Sequence, residues 1–210
     1  MKTAIIGAGN VGKALAGSFV RAGHGVTLSA AHADHAQAAA EATGAQAAAT
    51  AREAVAGADV VVLAVPYGAL LALVDELGDA LTGKIVIDAT NPLRDDYTGL
   101  AVGGTSAAEQ VQERAKGAKV VKAFNSALAA RQAEPRVADL QSDGFVAGDD
   151  EQAKATVLEL VGSIGFNPID AGALEVARAL EGLALVNILL QLHNNGSWQT
   201  AWKLIGPLTA

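Results

Sequence analysis

Three glycines, at positions 7, 9 and 12, are the residues whose spacing first suggests chemistry. They stand in Gly7-Ala8-Gly9-Asn10-Val11-Gly12, after the apolar stretch Lys2–Ile6 and before Lys13–Ala22, where apolar residues recur at helical spacing. A strand, a G-x-G-x-x-G turn and a helix in that order make a cradle for a dinucleotide pyrophosphate. Gly7 permits the tight turn, Gly9 lets backbone approach the phosphates, and Gly12 lets the helix pack close to the strand. The unpaired N–H groups and the dipole at the helix start then favour negative charge. The alternative is a glycine-rich turn without a ligand. The flanking strand and helix favour the nucleotide.

The next informative place is the end of the second strand, Val26–Ser29. In dinucleotide enzymes an Asp or Glu there holds the ribose hydroxyls of NAD, or an Arg nearby accepts the 2′-phosphate of NADP. This chain reads Ser29-Ala30-Ala31-His32-Ala33-Asp34-His35, with no acid at the strand tip and no Arg or Lys beside it. Ser29, His32 and His35 are the nearby polar candidates. His32 and His35 lie one helical turn apart, but no third ligand is close in sequence, so no metal site is expected. Other strand ends carry Val65-Pro66-Tyr67, Thr90-Asn91-Pro92 and Asn125-Ser126. Tyr67 reads equally well as a cofactor neighbour or an amphipathic surface residue. No Ser/His/Asp set and no carboxylate pair suggests itself, so no catalytic side chain is assigned.

The elements that must position these residues are legible. Asp59–Pro66 is a continuous β-branched run, as in a strand buried on both faces, and Tyr67–Leu81 follows as a helix. Lys84–Asp88 and Lys119–Phe124 read as further strands of a doubly wound parallel α/β sheet, and a short strand near 45–48 has a weak apolar signal. The polar segment 94–104 is long for a connector and suggests a lid or substrate loop. Thr105 or Ser106, with Glu109, suggests a capped helix start. Asp149 and Asp150 open a helix to about Ile164, and 167–172 is a strand and turn. Leu174–Leu192 is an apolar helix interrupted by Arg178, Glu181 and Asn187; it must be buried in the core or against a second subunit. Ser197 should start a last short helix holding Trp198 and Trp202. This divides the chain into a dinucleotide-binding domain, 1–172, and a C-terminal helical segment, 173–210.

Bulk properties narrow the class. The sequence has no cysteine, which excludes disulfides, thiolate metal sites and cysteine nucleophiles. A net charge of −7 argues against nucleic acid as a partner. No run of eighteen apolar residues and no leader pattern is present, so no membrane association is expected and the protein is read as cytoplasmic.

The chain resembles the NADPH-dependent reductases of the deazaflavin coenzyme F420 and their bacterial relatives. The blocks that carry the resemblance are GAGNVG at 7–12, AVP at 64–66, DATNPL at 88–93, SAAE at 106–109, KAFN at 122–125, GDD at 148–150 and PIDAGAL at 168–174. They cover nearly the whole chain. The Rossmann domain of metal-reducing membrane proteins is similar too, without their transmembrane part. The resemblance implies a Rossmann-type fold, an oxidoreductase that takes NADP, with NAD as the alternative, and a deazaflavin (F420) or flavin as redox partner. It implies that Gly9, Asn10 and Val11 hold the pyrophosphate, that Val65, Pro66, Asn91 and Pro92 flank the nicotinamide half, and that Asn125, Ser126 and Ala127 face the acceptor. It also implies a homodimer with the C-terminal helix at the contact. The family's second strand usually ends in Ser-Arg or Asn-Arg; Ala30 and Ala31 occupy those places here. A reductase of another small substrate and a non-catalytic dinucleotide sensor are the alternative functions.

Overall fold

Continuous apolar runs form the middle of the sheet, because a strand covered on both faces cannot alternate with polar residues. The computed structural model describes residues 1–206 and 208. Its strands are β1 (Lys2–Ile6), β2 (Gly25–Ser29), β3 (Gln46–Ala47), β4 (Val60–Leu63), β5 (Ile85–Asp88), β6 (Lys119–Ala123), β7 (Arg136–Val137), β8 (Leu140–Gln141), β9 (Asp143–Gly148) and β10 (Asn167–Gly172). Strands β7 and β8 pair with each other; the rest form one sheet in the order β10-β9-β6-β5-β4-β1-β2-β3. From β3 to β6 every pairing is parallel, and β1 lies between β2 and β4. The winding of the chain reverses at that point, which is where ligand crevices open in such sheets.

The doubly wound Rossmann-type fold is therefore present, with one difference from an all-parallel sheet. Strand β9 runs antiparallel to β6, and β10 follows it in parallel. A parallel return needs a crossover of a dozen or more residues, usually helical. The link between β6 and β9 holds only the five-residue helix Ala129–Ala133 and the β7–β8 hairpin, so β9 enters from the opposite end.

The other helices are α1 (Asn10–Arg21), α2 (Ala33–Thr43), α3 (Ala51–Ala56), α4 (Tyr67–Leu77), α5 (Ala107–Arg114), α7 (Glu151–Ser163) and α8 (Ala177–His193), with Ala129–Ala133 as α6. Alternate strand residues point to opposite faces and build two cores. Ile5, Val60, Val62, Ile87 and Val121 pack with Leu15 and Phe19 of α1 and Val157 and Leu160 of α7. Ala4, Ile6, Val61, Leu63, Val86 and Val120 pack with Leu70, Val74 and Leu77 of α4 and Val111 of α5. Of the two expected caps of α5, Ser106 is the one used: its hydroxyl accepts from Glu109 N–H at 3.1 Å and donates to the Glu109 carboxylate at 2.8 Å.

The C-terminal part departs most from expectation. The polar residues of α8 face the protein together with its smaller apolar ones: Glu181, Asn187 and Gln191 are buried along one stripe with Ala177, Leu180 and Ala184, while Val186 and Leu190 are 48% and 50% exposed. By length and composition Leu174–His193 is apolar enough to cross a membrane, contrary to the sequence expectation, yet this inner stripe is hydrogen-bonded into the fold. The last helix from Ser197 is absent among the described residues. The Gln191 side chain accepts from Trp198 N–H and donates to the Thr200 hydroxyl, and Asp143 N–H donates to the Trp202 carbonyl. These bonds hold the tail as a strap across α8 and β9, which supplies its polar groups with partners that a helix of a few residues would leave largely unmet.

Candidate functional site

The glycine turn separates two kinds of glycine. Gly7 has φ +120° and donates its N–H to the Ser29 carbonyl at 2.8 Å; a Cβ there would collide with the Ala64 carbonyl of the neighbouring strand end. A Cβ on Gly12 would collide with the Gly7 carbonyl. Both are therefore demanded by the protein itself. Gly9 is not. It is exposed, caps α1 in an extended conformation, and a Cβ there would meet nothing within 4 Å. The space beside it lies open at the first turn of α1. An open cradle of N–H groups at the sheet's reversal point fits a dinucleotide pyrophosphate.

Two cavities flank this turn at the carboxyl edge of the sheet. The larger, of about 430 Å³, is lined by Gly7, Ser29, Ala30, Ala31, Thr50, Val65 and Glu76, among others. Ser29 is buried and its hydroxyl has no partner. No Lys, Arg or His lines this space. His32 is exposed at the start of α2, its ring 5.3 Å from that of His35, and belongs to neither cavity.

The smaller cavity, of about 140 Å³, brings together Val11, Asn91, Asn125, Ser126 and Ala127 with Gln132, Ala184, Ile188 and Trp198. Asn91 and Asn125 lock one another across β5 and β6. The Asn91 amide donates to the Asn125 carbonyl, and the Asn125 amide donates to Asn91 Oδ1, each at 2.9 Å. The Asn125 amide also donates to the Leu180 carbonyl of α8 at 3.0 Å. The residue before Asn125, Phe124, is a buried aromatic at φ +66°, a left-handed conformation that costs about 1–3 kcal/mol. Gln132 holds it there by donating to the carbonyls of Phe124 and Ala127 at 3.0 and 2.9 Å. Pro66 is exposed at the start of α4 and Pro92 is buried, and neither lines these cavities. Tyr67 donates to the Gln110 side chain at 2.8 Å, which ties α4 to α5. The 94–104 loop folds on itself through Arg94, Asp96 and Thr98 and lines neither cavity.

Beneath this edge lies a charged group that sequence reasoning missed. Lys122 is fully buried, and its ammonium donates to Asp88 Oδ2 at 2.8 Å, to the Thr90 carbonyl at 2.7 Å and to Glu181 Oε1 at 2.8 Å. Asp88 Oδ1 accepts from the N–H and hydroxyl of Thr90, and Glu181 Oε1 also accepts from Ala107 N–H at the start of α5. The network pins the Thr90–Asn91 turn, the start of α5 and α8 to one ammonium. The signal was a lysine inside an apolar strand and a glutamate inside an apolar helix, each affordable only if paired.

Two carboxylates share one ammonium here, and Glu181 Oε2 has no partner. Burial, opposed by Lys122, raises the Glu181 carboxyl above its ordinary value. A raised carboxyl binds more protons folded than unfolded, so its contribution favours folding below the unfolded pKa and is lost as pH rises through the folded one. Glu181→Gln keeps an oxygen for Lys122 and Ala107 and removes the surplus charge. Chemical denaturation across mildly acidic to neutral pH is expected to show a flatter stability profile for the variant, with no loss at neutral pH.

The chain is similar in sequence and fold to known proteins. Residues 2–92 match the family model described as "NADP oxidoreductase coenzyme F420-dependent". The F420-dependent NADP reductase of Methanothermobacter thermautotrophicus is 35% identical over 211 residues, covering 92% of this chain and 90% of that protein. The chain belongs to the F420-dependent NADP oxidoreductase family. A crystal structure from Arthrobacter sp. FB24, assigned provisionally as an F420-dependent NADP reductase, superposes with a TM-score of 0.87 at 30% identity, covering 98% of this chain and all of that one. The similarity extends to part of a longer protein. The metalloreductase STEAP3 of Rattus norvegicus is 32% identical over 188 residues, covering 88% of this chain but only 36% of that longer protein.

Proposed function

We propose that the chain is an oxidoreductase that transfers hydride between NADP(H) and a deazaflavin (F420) or flavin ring. The observation that carries this reading is the smaller cavity, bounded on one side by Val11 of the glycine turn and on the other by the locked pair Asn91 and Asn125. The nicotinamide supplies the hydride chemistry when bound. The chain's own residues bind and orient. Gly9, Asn10 and Val11 hold the pyrophosphate, and Ser29 offers its hydroxyl to the ribose end. Asn91 flanks the nicotinamide and Asn125, Ser126 and Ala127 face the acceptor, and near-attack positioning of this kind accounts for much of an enzyme's acceleration. In this reading residues 1–172 are the dinucleotide domain and 173–210 the C-terminal segment, from which Ala184, Ile188 and Trp198 line the pocket.

The test is anaerobic mixing of the protein with NADPH or NADH and, separately, F420, free flavin or no acceptor. Rapid loss of reduced nicotinamide with F420 or flavin is expected. Cofactor binding without turnover on any acceptor would make the protein a sensor instead. With no cation lining the cavity at Ser29, NADPH is expected to be favoured over NADH by less than about tenfold, or about 1.4 kcal/mol in dissociation constants. A thousandfold preference would reveal a charged partner for the 2′-phosphate.

The outward face of α8 supports a homodimer as part of this reading. Val186, Leu190 and Leu192 are roughly half exposed on a helix whose polar stripe is already engaged within the subunit. Apolar surface of this kind is commonly covered by a two-fold partner. Sedimentation at micromolar concentration should give a dimer that Leu190→Lys returns to monomers.

A further inference from the structure

Two carboxamides in the smaller cavity each have one end fixed and the other unanswered. The Asn125 amide nitrogen donates to Asn91 Oδ1 and to the Leu180 carbonyl. The Gln132 amide nitrogen donates to the carbonyls of Phe124 and Ala127. Each nitrogen is thus committed to two oxygens, so the orientation of both groups follows from their surroundings. Asn125 Oδ1 and Gln132 Oε1 are left buried, with no donor facing either. Asn125 and Gln132 are 5% and 1% exposed, and both line the cavity. Buried acceptors left unpaired are costly, and a costly arrangement held by a strained Phe124 and several hydrogen bonds is one that a ligand completes.

We infer that Asn125 Oδ1 and Gln132 Oε1 form a paired acceptor site that reads the primary carboxamide of the nicotinamide ring. This rests on the dinucleotide reading above. A primary carboxamide brings two N–H donors on one nitrogen, matching two acceptors that have none. The cavity's size agrees, because about 140 Å³ is well below the several hundred cubic ångströms of a site for a large ligand and suits one small ring. Val11 belongs to the same wall, which ties the cavity to the nucleotide half of the site. The assignment moves Asn125 from the acceptor ring to the nicotinamide, and it gives Gln132 a specificity role besides its hold on Phe124.

The experiment is calorimetric binding of three ligands to the whole protein: NADP⁺, its 3-acetylpyridine analogue, and 2′-phospho-ADP-ribose, which has no ring. The acetyl group keeps the carbonyl and replaces the NH₂ with a methyl that donates nothing. Wild-type protein is expected to bind NADP⁺ about tenfold more tightly than the acetylpyridine analogue. Folded Gln132→Met is expected to lose most of that discrimination. Equal wild-type affinity for the two ring-bearing ligands, both above that of 2′-phospho-ADP-ribose, overturns the inference and leaves the dinucleotide site standing. Undiminished discrimination in folded Gln132→Met overturns the part assigned to Gln132. Failure of all three ligands to bind overturns the dinucleotide reading itself, and the inference with it. If Gln132→Met does not fold, the wild-type comparison alone decides between the outcomes.

Discussion

Gly9→Ala is expected to abolish useful cofactor binding while leaving the protein folded. The new Cβ meets nothing within 4 Å, and the backbone at Gly9 is already extended, with φ −74°, which alanine adopts freely. Two small effects on stability oppose each other. Alanine is a poorer helix cap than glycine, and it stiffens the unfolded chain. The net change should stay within about 1 kcal/mol. The added methyl group occupies space that a pyrophosphate must enter to reach the N–H groups of α1. Affinity for NADPH should fall by about a hundredfold or more, or about 2.8 kcal/mol, measured by calorimetric titration alongside thermal unfolding. Unchanged affinity in a folded Gly9→Ala protein would remove the glycine turn from the site. Gly7→Ala and Gly12→Ala are poor controls for ligand binding, because both collide with backbone carbonyls before any ligand arrives.

Lys122→Met is expected to have the largest effect on the fold. The methionine fills the space of the lysine stem but leaves Asp88 and Glu181 buried without their counter-ion. Removing one partner of a buried ion pair costs about 3–5 kcal/mol, a large share of the total stability of an ordinary domain. The damage should also reach the site, since the Thr90 carbonyl beside Asn91 loses its donor. Urea denaturation measures the loss. Adding Glu181→Gln to Lys122→Met should recover part of it, because one of the two stranded charges is then gone. Strict additivity of the two substitutions would show that Lys122 and Glu181 are not coupled.

Much of the architecture was legible in local patterns. The β-branched runs at 60–63, 85–88 and 119–123 are strands because of their composition, and GAGNVG is a strand-to-helix turn because of where its glycines fall. The Ser106–Glu109 cap needs only four consecutive residues. The direction of β9 was not legible, since strand direction depends on how the chain returns across the sheet and leaves no mark on the strand itself. The tail from Ser197 was misjudged because its structure is set by Gln191 in the preceding helix and by Asp143 in β9, both outside the segment.

The sequence by itself determined that a glycine turn meets a helix at the edge of a parallel sheet, and that Asn91 and Asn125 stand at strand ends on that edge. Those facts follow from periodicity and from steric limits acting within a few residues. Only the tertiary structure decided which groups face one another. It set Asn91 against Asn125 and Lys122 against Asp88 and Glu181. It also turned the polar stripe of α8 inward and left Gly9 as the glycine of the turn whose bareness the protein does not itself require. Such pairings join residues 32 to 59 positions apart, and they arise because a buried charge or amide must find a partner wherever packing brings one. Local pattern records that such a residue is present; the identity of its partner is a property of the packed chain.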